Sequence, residues 1–210
     1  MKVLIVDDHA LVRAGLRQLM MAGDLALTVG EAKDAVTAVQ TLRSEHWDMV
    51  LLDINLPGKN GIELLKQIRQ EFRKLRVLIL SMHSEEQYAI RAIKNGALGY
   101  LTKDSAPEKL ISAIQTIADG KRYITPELAD KLAHALVFES EKAPHETLSD
   151  REYEVLCLLG GGMSVTDIGK RLSLSAKTIS TYRTRLLAKM GLKNTTELIH
   201  YVVSHKLNAV

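Results

Sequence analysis

The sequence predicts an α/β domain, a parallel sheet of five strands alternating with five helices, followed by an all-α domain of four helices. Three features carry that expectation. Within residues 1–120, short apolar runs alternate with segments whose apolar residues recur at helical spacing. Residues 138–147, FESEKAPHET, are polar, charged and interrupted by proline, the composition of a tether. Beyond the tether the charge becomes one-sided: Lys170 to Lys193 contains seven basic residues and no acid.

Residues 2–6 are a β-type run closed by Asp7-Asp8, and from His9 the residues Val12, Leu16, Leu19 and Met20 share one helix face. Leu25–Val29 reads as the second strand, and Asp34 is placed to cap a helix reaching Leu42. Met49–Leu52 is the third strand; it ends at Asp53, and a Pro57-Gly58 loop follows. Asn60 precedes a helix carrying Ile62, Leu65 and Ile68. The fourth strand, Arg76–Leu80, gives way to Ser81 and a helix through Ile90 and Ile93, with Gly96 at its C-terminal cap. Leu98–Leu101 is the fifth strand; Lys103 follows, and Pro107 opens a helix with Leu110, Ile111, Ile114 and Ile117. Such alternation implies a parallel sheet covered on both faces, whose right-handed crossovers bring every strand-to-helix loop to one edge.

Of the 210 residues, 46% are hydrophobic and 25% charged, an ordinary globular balance, and 4% aromatics leaves a largely aliphatic core. The one cysteine, Cys157, excludes an internal disulfide and a cysteine-based zinc site, and its apolar helical setting reads as a buried, inert thiol. The run Met1–Val6 meets Asp7-Asp8 too soon for a signal-peptide apolar region, and no run approaches membrane-span length. A cytoplasmic protein without membrane contact is expected. The formal charge of +3 lies wholly in residues 145–210, where nine Lys/Arg face six Asp/Glu; residues 1–144 balance at nineteen each. That asymmetry calls for an anionic partner at the C-terminal part.

Asp7, Asp8, Asp53, Ser81 and Lys103 stand at or just beyond the ends of strands one, three, four and five, so they gather at one rim. Singly each has a bland reading, Lys103 as a helix-end charge and Ser81 as a cap. Jointly they describe a site. Clustered carboxylates raise one another's pKa, and a divalent cation relieves the repulsion; hard oxygen ligands suit Mg²⁺. A lysine and a hydroxyl beside it complete a cradle for a phosphoryl group. The chemistry implied is attack by one carboxylate on phosphorus to give an aspartyl phosphate, with cation and lysine stabilising the equatorial oxygens. A phosphohydrolase on the same sheet would need a glycine-rich first loop or a base for water, and strand one is followed instead by Asp7-Asp8-His9.

The residues Val6-Asp7-Asp8-His9, Leu52-Asp53-Ile54-Asn55-Leu56-Pro57-Gly58, Leu80-Ser81 and Gly96-Ala97-Leu98-Gly99-Tyr100-Leu101-Thr102-Lys103 resemble a bacterial two-component receiver domain. The resemblance implies a flavodoxin-like fold and phosphorylation of Asp53 by a sensor histidine kinase. It also implies Mg²⁺ held by Asp8, Asp53 and the backbone carbonyl of Asn55, with Asp7 acting mainly through water. Ser81 and Tyr100 match the family's switch pair, Ser standing where Thr is commoner.

After a linker (122–147) whose short helix carries Leu128, Leu132 and Leu136, the second domain opens at Leu148-Ser149. Ser149 and Glu152 make a capping box, and Val155, Leu156 and Leu159 line a core face. Gly160-Gly161-Gly162 reads as a helix terminator, since no strand and no Gly-Lys-Ser/Thr ending supports a phosphate loop. Ser164 caps a short helix with Ile168 and Leu172, and after the Leu174-Ser175 turn a helix runs to Met190: a helix-turn-helix. In that last helix Ile179, Leu186, Leu187 and Met190 face inward, leaving cations and small hydroxyl residues outside. Such a face suits a major groove, with cations on phosphates and short side chains near base edges. The expected contacts are Lys177, Thr178, Ser180, Thr181, Arg183, Thr184, Arg185 and Lys189. Asn194–Leu207 supplies a fourth helix, able to cover the core and pair with a second subunit.

The segments Leu148-Ser149-Asp150-Arg151-Glu152, Ile168-Gly169-Lys170-Arg171-Leu172, Leu174-Ser175, Lys177-Thr178-Ile179 and Lys189-Met190-Gly191 resemble a LuxR-type DNA-binding domain; Gly169 for the usual Ala and the long glycine run depart from it. Together the two resemblances imply a NarL/FixJ-type response regulator: receiver 1–121, linker 122–147, helix-turn-helix domain 148–210. They imply a transcription factor rather than an enzyme. Phosphorylation of Asp53 would promote homodimerisation and binding to double-stranded promoter DNA, with RNA polymerase as a further partner. The competing expectation is a constitutive regulator that binds DNA without phosphorylation.

Overall fold

The computed structural model describes residues 1–23, 27–82, 86–137 and 143–207. They divide into two units, Met1–Asp130 and Lys131–Val210.

The first unit is a five-stranded parallel sheet, β1 (Lys2–Val6), β2 (Thr28–Ala32), β3 (Met49–Asp53), β4 (Arg76–Ser81) and β5 (Gly99–Thr102), in the order β2-β1-β3-β4-β5. Helices α1 (Ala10–Ala22), α2 (Ala35–Ser44), α3 (Gly61–Glu71), α4 (Glu86–Lys94) and α5 (Ala106–Ala118) connect and cover it. The central strands are near-continuous apolar runs because each has a helix layer on both sides. Successive side chains go to opposite faces. Val3, Ile5, Met49, Leu51, Leu78 and Leu80 join Leu16 and Met20 of α1 and Leu110, Ala113, Ile114 and Ile117 of α5 in one core. Leu4, Val50, Leu52 and Ile79, equally buried, are left for the other face. The helix starts hold as local chemistry predicts. Asp34 accepts the Thr37 N–H at 2.7 Å in a reciprocal capping box, and Asn60 accepts the Ile62 N–H at 2.8 Å.

β1 lies between β2 and β3, so the chain's winding direction reverses there. The crevice at such a reversal, outside the carboxyl ends of the strands, is where this architecture binds ligands. Asp7 and Asp8 follow β1 and Asp53 closes β3, which places three carboxylates at that crevice.

Two expectations need correction. The second strand is Thr28–Ala32, not Leu25–Val29: its register pairs Lys2 with Thr28 and Val6 with Ala32. Leu25 falls outside the described residues. β2 is an edge strand, so Thr28 and Glu31 stay solvated while Gly30 packs under Trp47, where a Cβ would meet the indole at 2.2 Å. An apolar-run criterion cannot find such a strand. Within the segment read as a tether, Pro144–Thr147 forms a 3₁₀ turn whose buried His145 sets Nδ1 2.8 Å from the Tyr201 hydroxyl; residues 138–142 lie outside the described residues. The helix expected in the linker is α6 (Pro126–Val137); the side chain of Leu136, expected on its apolar side, lies outside the described residues.

In the second unit, α7 (Asp150–Gly160) packs against α8 (Val165–Leu172), α9 (Ala176–Met190) and α10 (Thr195–Ser204). Ser149 and Glu152 form the capping box at α7, and Ser164, Ser175 and Asn194 cap the next three helices. Gly160 belongs to α7 rather than to its stop. A Cβ there would lie 2.3 Å from a Val202 methyl, so the glycine lets α10 close on α7. α8 ends at Ser173 in the left-handed region (φ 55°), and the chain turns straight into α9. Gly169, where the resemblance has alanine, is filled from outside: a Cβ would meet the Leu174 carbonyl at 2.8 Å, so the turn backbone sits tight against α8.

Candidate functional site

Strand ends position every group of the rim pocket. Asp53, the last residue of β3, is 1% exposed; Asp7, just past β1, is as deeply buried, and Lys103 follows β5 directly. Lys103 Nζ lies 2.7 Å from Asp53 Oδ2 and 2.7 Å from Asp7 Oδ2, one ammonium bridging two carboxylates. Asp7 Oδ1 accepts the His9 backbone N–H at 2.8 Å, and Asp53 Oδ1 that of Asn55 at 3.2 Å. Asp8 completes the group at the mouth, its side chain one-third exposed. Ser81, fully buried, ends β4 one residue beyond Leu80, the register partner of Asp53. Tyr100 is buried on β5, paired with Ile79.

Burial pushes the Asp53 carboxyl above its ordinary pKa; Lys103 opposes the shift and Asp7 adds to it. Burial alone would lower Lys103, but Asp53 and Asp7 outweigh it and hold the ammonium above its ordinary range. Three carboxylates thus face one ammonium, and the group retains negative charge that a cation would balance. One ligand atom each from Asp7, Asp8, His9 and Asp53 lies within 4.8 Å of the others, which fits a divalent cation held mainly by oxygen.

Three supporting groups are not among the site residues that the sequence singles out. Gly61, the first residue of α3, lies against the Asp53 backbone: a Cβ would sit 2.1 Å from the Asp53 carbonyl oxygen. Arg13 donates from Nη1 to the Asp7 carbonyl at 2.8 Å and pairs through Nε with Glu31 at 3.0 Å, tying α1 and β2 to the pocket. His9 turns its imidazole to the carboxylates, Nδ1 being 2.7 Å from Asp8 Oδ1.

On α9, Ile179, Leu186 and Met190 are buried and Leu187 is half-buried. Lys177, Thr181, Thr184, Arg185 and Lys189 are exposed, with Thr178, Ser180 and Arg183 half-buried beside them. Four of these are already engaged. Thr178 Oγ1 meets the capping Ser175 Oγ at 2.8 Å. Thr181 and Thr184 donate their hydroxyls to the carbonyls of Lys177 and Ser180, which leaves their oxygens as acceptors. Lys189 Nζ lies 2.7 Å from Glu152 Oε2, so its charge fastens the end of α9 to the start of α7.

Residues 3–115 match the response regulator receiver domain family, and residues 146–202 the LuxR family of bacterial regulatory proteins. The response regulator UvrY of Escherichia coli K12 is 34% identical over 206 residues, covering 98% of this chain and 94% of that protein. The oxygen regulatory protein NreC of Staphylococcus carnosus is 34% identical over 214 residues, covering 99% of each chain. Among solved structures, RcsB of Salmonella enterica serovar Typhimurium bound to promoter rprA with the phosphomimetic BeF3⁻ is 28% identical, with a TM-score of 0.66, over 97% of this chain and 99% of that one. An RcsB–DNA complex is 30% identical, with a TM-score of 0.59, over 97% and 98%. Among the described residues no helix is long and apolar enough to cross a membrane. With both halves matched in order and relatives aligned over nearly their full length, the chain belongs to the NarL/FixJ-type response regulators, a receiver domain joined to a LuxR-type DNA-binding domain.

Proposed function

We propose that this protein is a transcription factor switched by phosphorylation of Asp53, with a sensor histidine kinase as phosphodonor. The observation that carries the reading is Lys103 held 2.7 Å from both Asp53 and Asp7 inside the pocket. An Asp53 oxygen attacks the phosphorus of the donor; the donor's P–N bond breaks and its imidazole leaves with the electron pair. Lys103 steadies charge on the equatorial oxygens, and the Ser81 hydroxyl bonds one of them. Asp8, Asp53 and the Asn55 carbonyl would hold Mg²⁺, with Asp7 acting mainly through water. When bound, Mg²⁺ supplies neutralising charge to the phosphoryl oxygens and keeps the buried carboxylates ionised.

Phosphate on Asp53 draws Ser81 inward and Tyr100 follows, which biases a two-state face of the receiver, from Ser84 to Asp119, toward homodimerisation. Ser84 itself is outside the described residues. The domain limits are 1–121, 122–147 and 148–210. Two α9 helices in a dimer would read half-sites of promoter DNA. Ser180, Thr181 and Thr184 approach bases, Lys177, Arg183 and Arg185 meet mainly phosphates, and Thr178 lies among the DNA contacts. Lys189 reaches a phosphate at the expense of its bond to Glu152. RNA polymerase is the expected partner at the promoter, and the cytoplasm the expected compartment.

A small-molecule phosphodonor with Mg²⁺ should label the wild type and leave Asp53→Asn unlabelled. Equal labelling of the two proteins would remove Asp53 from its role.

A further inference from the structure

His9 is the one member of the rim cluster to which phosphoryl transfer gives no task. It occupies the cap position of α1, yet its side chain makes no capping bond and is 65% exposed at the mouth of the pocket. Its imidazole points at the carboxylates instead: Nδ1 is 2.7 Å from Asp8 Oδ1 and 3.4 Å from Asp7 Oδ1. The two oxygens of Asp7 divide the pocket. Oδ2 faces the Lys103 ammonium, and Oδ1 faces His9 and the open side. Neighbouring ligands on an octahedral cation with bonds of about 2.1 Å lie about 3 Å apart, and the 2.7 Å between His9 Nδ1 and Asp8 Oδ1 is near that value. The His9 nitrogen is also within 4.8 Å of a ligand oxygen on each of Asp7, Asp8 and Asp53.

We propose that His9 ligates the divalent cation of the pocket, giving it a mixed nitrogen–oxygen donor set that selects first-row transition cations such as Mn²⁺ over Mg²⁺. Imidazole binds Mg²⁺ poorly, and affinity for nitrogen-containing sites rises along the first transition row. A carboxylate-only pocket has little means of telling Mn²⁺ from Mg²⁺; an added imidazole supplies one. The proposal rests on the metal-binding reading of the same pocket and adds the identity of the ion.

The test uses full-length protein, with Mn²⁺ as the probe and pulsed electron paramagnetic resonance as the readout. Wild type should show a histidine nitrogen coupled to the bound Mn²⁺, and His9→Ala should lose it. The ratio of Mn²⁺ to Mg²⁺ affinity, from titration of each ion, should fall about tenfold in His9→Ala, the scale on which groups supporting a metal act. Bound Mn²⁺ without nitrogen coupling, weakened by Asp8→Asn, overturns the role of His9 and leaves the carboxylate pocket standing. Coupling that survives in His9→Ala comes from another histidine and overturns the proposal. Mn²⁺ binding indifferent to both Asp8→Asn and Asp53→Asn removes the metal pocket and His9 together.

Discussion

The two units use charge in opposite ways. In the receiver, the charges of the proposed site point inward: Asp53 and Asp7 are buried, and Lys103, its side chain 8% exposed, lies 2.7 Å from each. In the helical unit they point outward, with Lys177 and Arg185 exposed on α9 above a buried apolar seam. A buried ion pair is costly to break because the remaining charge has no water to fall back on. An exposed cation costs little to remove from the fold and matters only when an anion arrives. Damage to the pocket should therefore appear in both stability and chemistry, and damage to α9 in binding alone.

The sharpest break in that comparison is Lys103→Met. It leaves Asp7 and Asp53 facing each other without a cation and should lower receiver stability by about 3 kcal/mol, the cost of orphaning a buried charge. Phosphorylation from a small-molecule donor should fall about 100-fold, the scale of losing one preorganised charge at a developing anion. Denaturant titration with and without Mg²⁺ checks the assignment, since added Mg²⁺ should recover part of the lost stability. Unchanged stability would mean that the ammonium does not hold the pocket together.

Gly61→Ala reaches the same pocket through the backbone. Its methyl would fall 2.1 Å from the Asp53 carbonyl oxygen and 2.7 Å from the Ile54 Cα, atoms with no side-chain freedom to yield. Overpacking of this kind costs about 2 kcal/mol, against a helix-propensity gain of about 1 kcal/mol from replacing glycine. The net should be destabilising by about 1 kcal/mol, with slower phosphorylation of Asp53. Stabilisation in thermal unfolding would show that the start of α3 is free to move off β3.

On the other side of the comparison, Arg185→Ala should leave phosphorylation and unfolding unchanged. DNA affinity should drop across all sequences, and the slope of log K against log salt should fall by about 1, one released counterion fewer. Thr181→Val should behave differently, lowering affinity for some operators and sparing others, if the acceptor it removes serves the proposed base contact. If Arg185→Ala instead changed sequence preference, its place among the phosphate contacts would be lost.

How much of this arrangement is legible in the chain follows from the same contrast. Asp7, Asp8, Asp53, Ser81 and Lys103 could be read because right-handed crossovers send every parallel-strand end to one rim, so position in the alternation is position in space. The seam of α9 could be read from its period, Ile179, Leu186 and Met190. What escaped depends on contacts between distant segments. Gly61 matters for the backbone it touches, Arg13 for a carbonyl it reaches, and β2 pairs by register although half of it is polar. Lys189 reads as an outward cation because nothing local shows that Glu152, on another helix, lies 2.7 Å away.

That last pair also sets the smallest expected effect, and it tests whether Lys189 belongs with the structural charges or with the DNA contacts. Burial raises the Glu152 carboxyl, but Lys189 and the Ser149 cap more than reverse this and hold it below its ordinary value. A carboxylate depressed in the folded state contributes stability that is fully present above the unfolded pKa, about 4.3, and is lost as pH falls through the folded value. Lys189→Met should remove about 0.5 kcal/mol at pH 7, given that half the lysine side chain is in water, and should flatten the loss below pH 4. The capping bonds from Ser149 remain, so a residual slope should persist in Lys189→Met and shrink further in Glu152→Gln. On DNA the same Lys189→Met change should reduce the salt slope by less than Arg185→Ala does, since its ammonium is shared with Glu152. A full unit of slope, with no change in acid stability, would move Lys189 to the outward-facing set and leave Glu152 held by the cap alone.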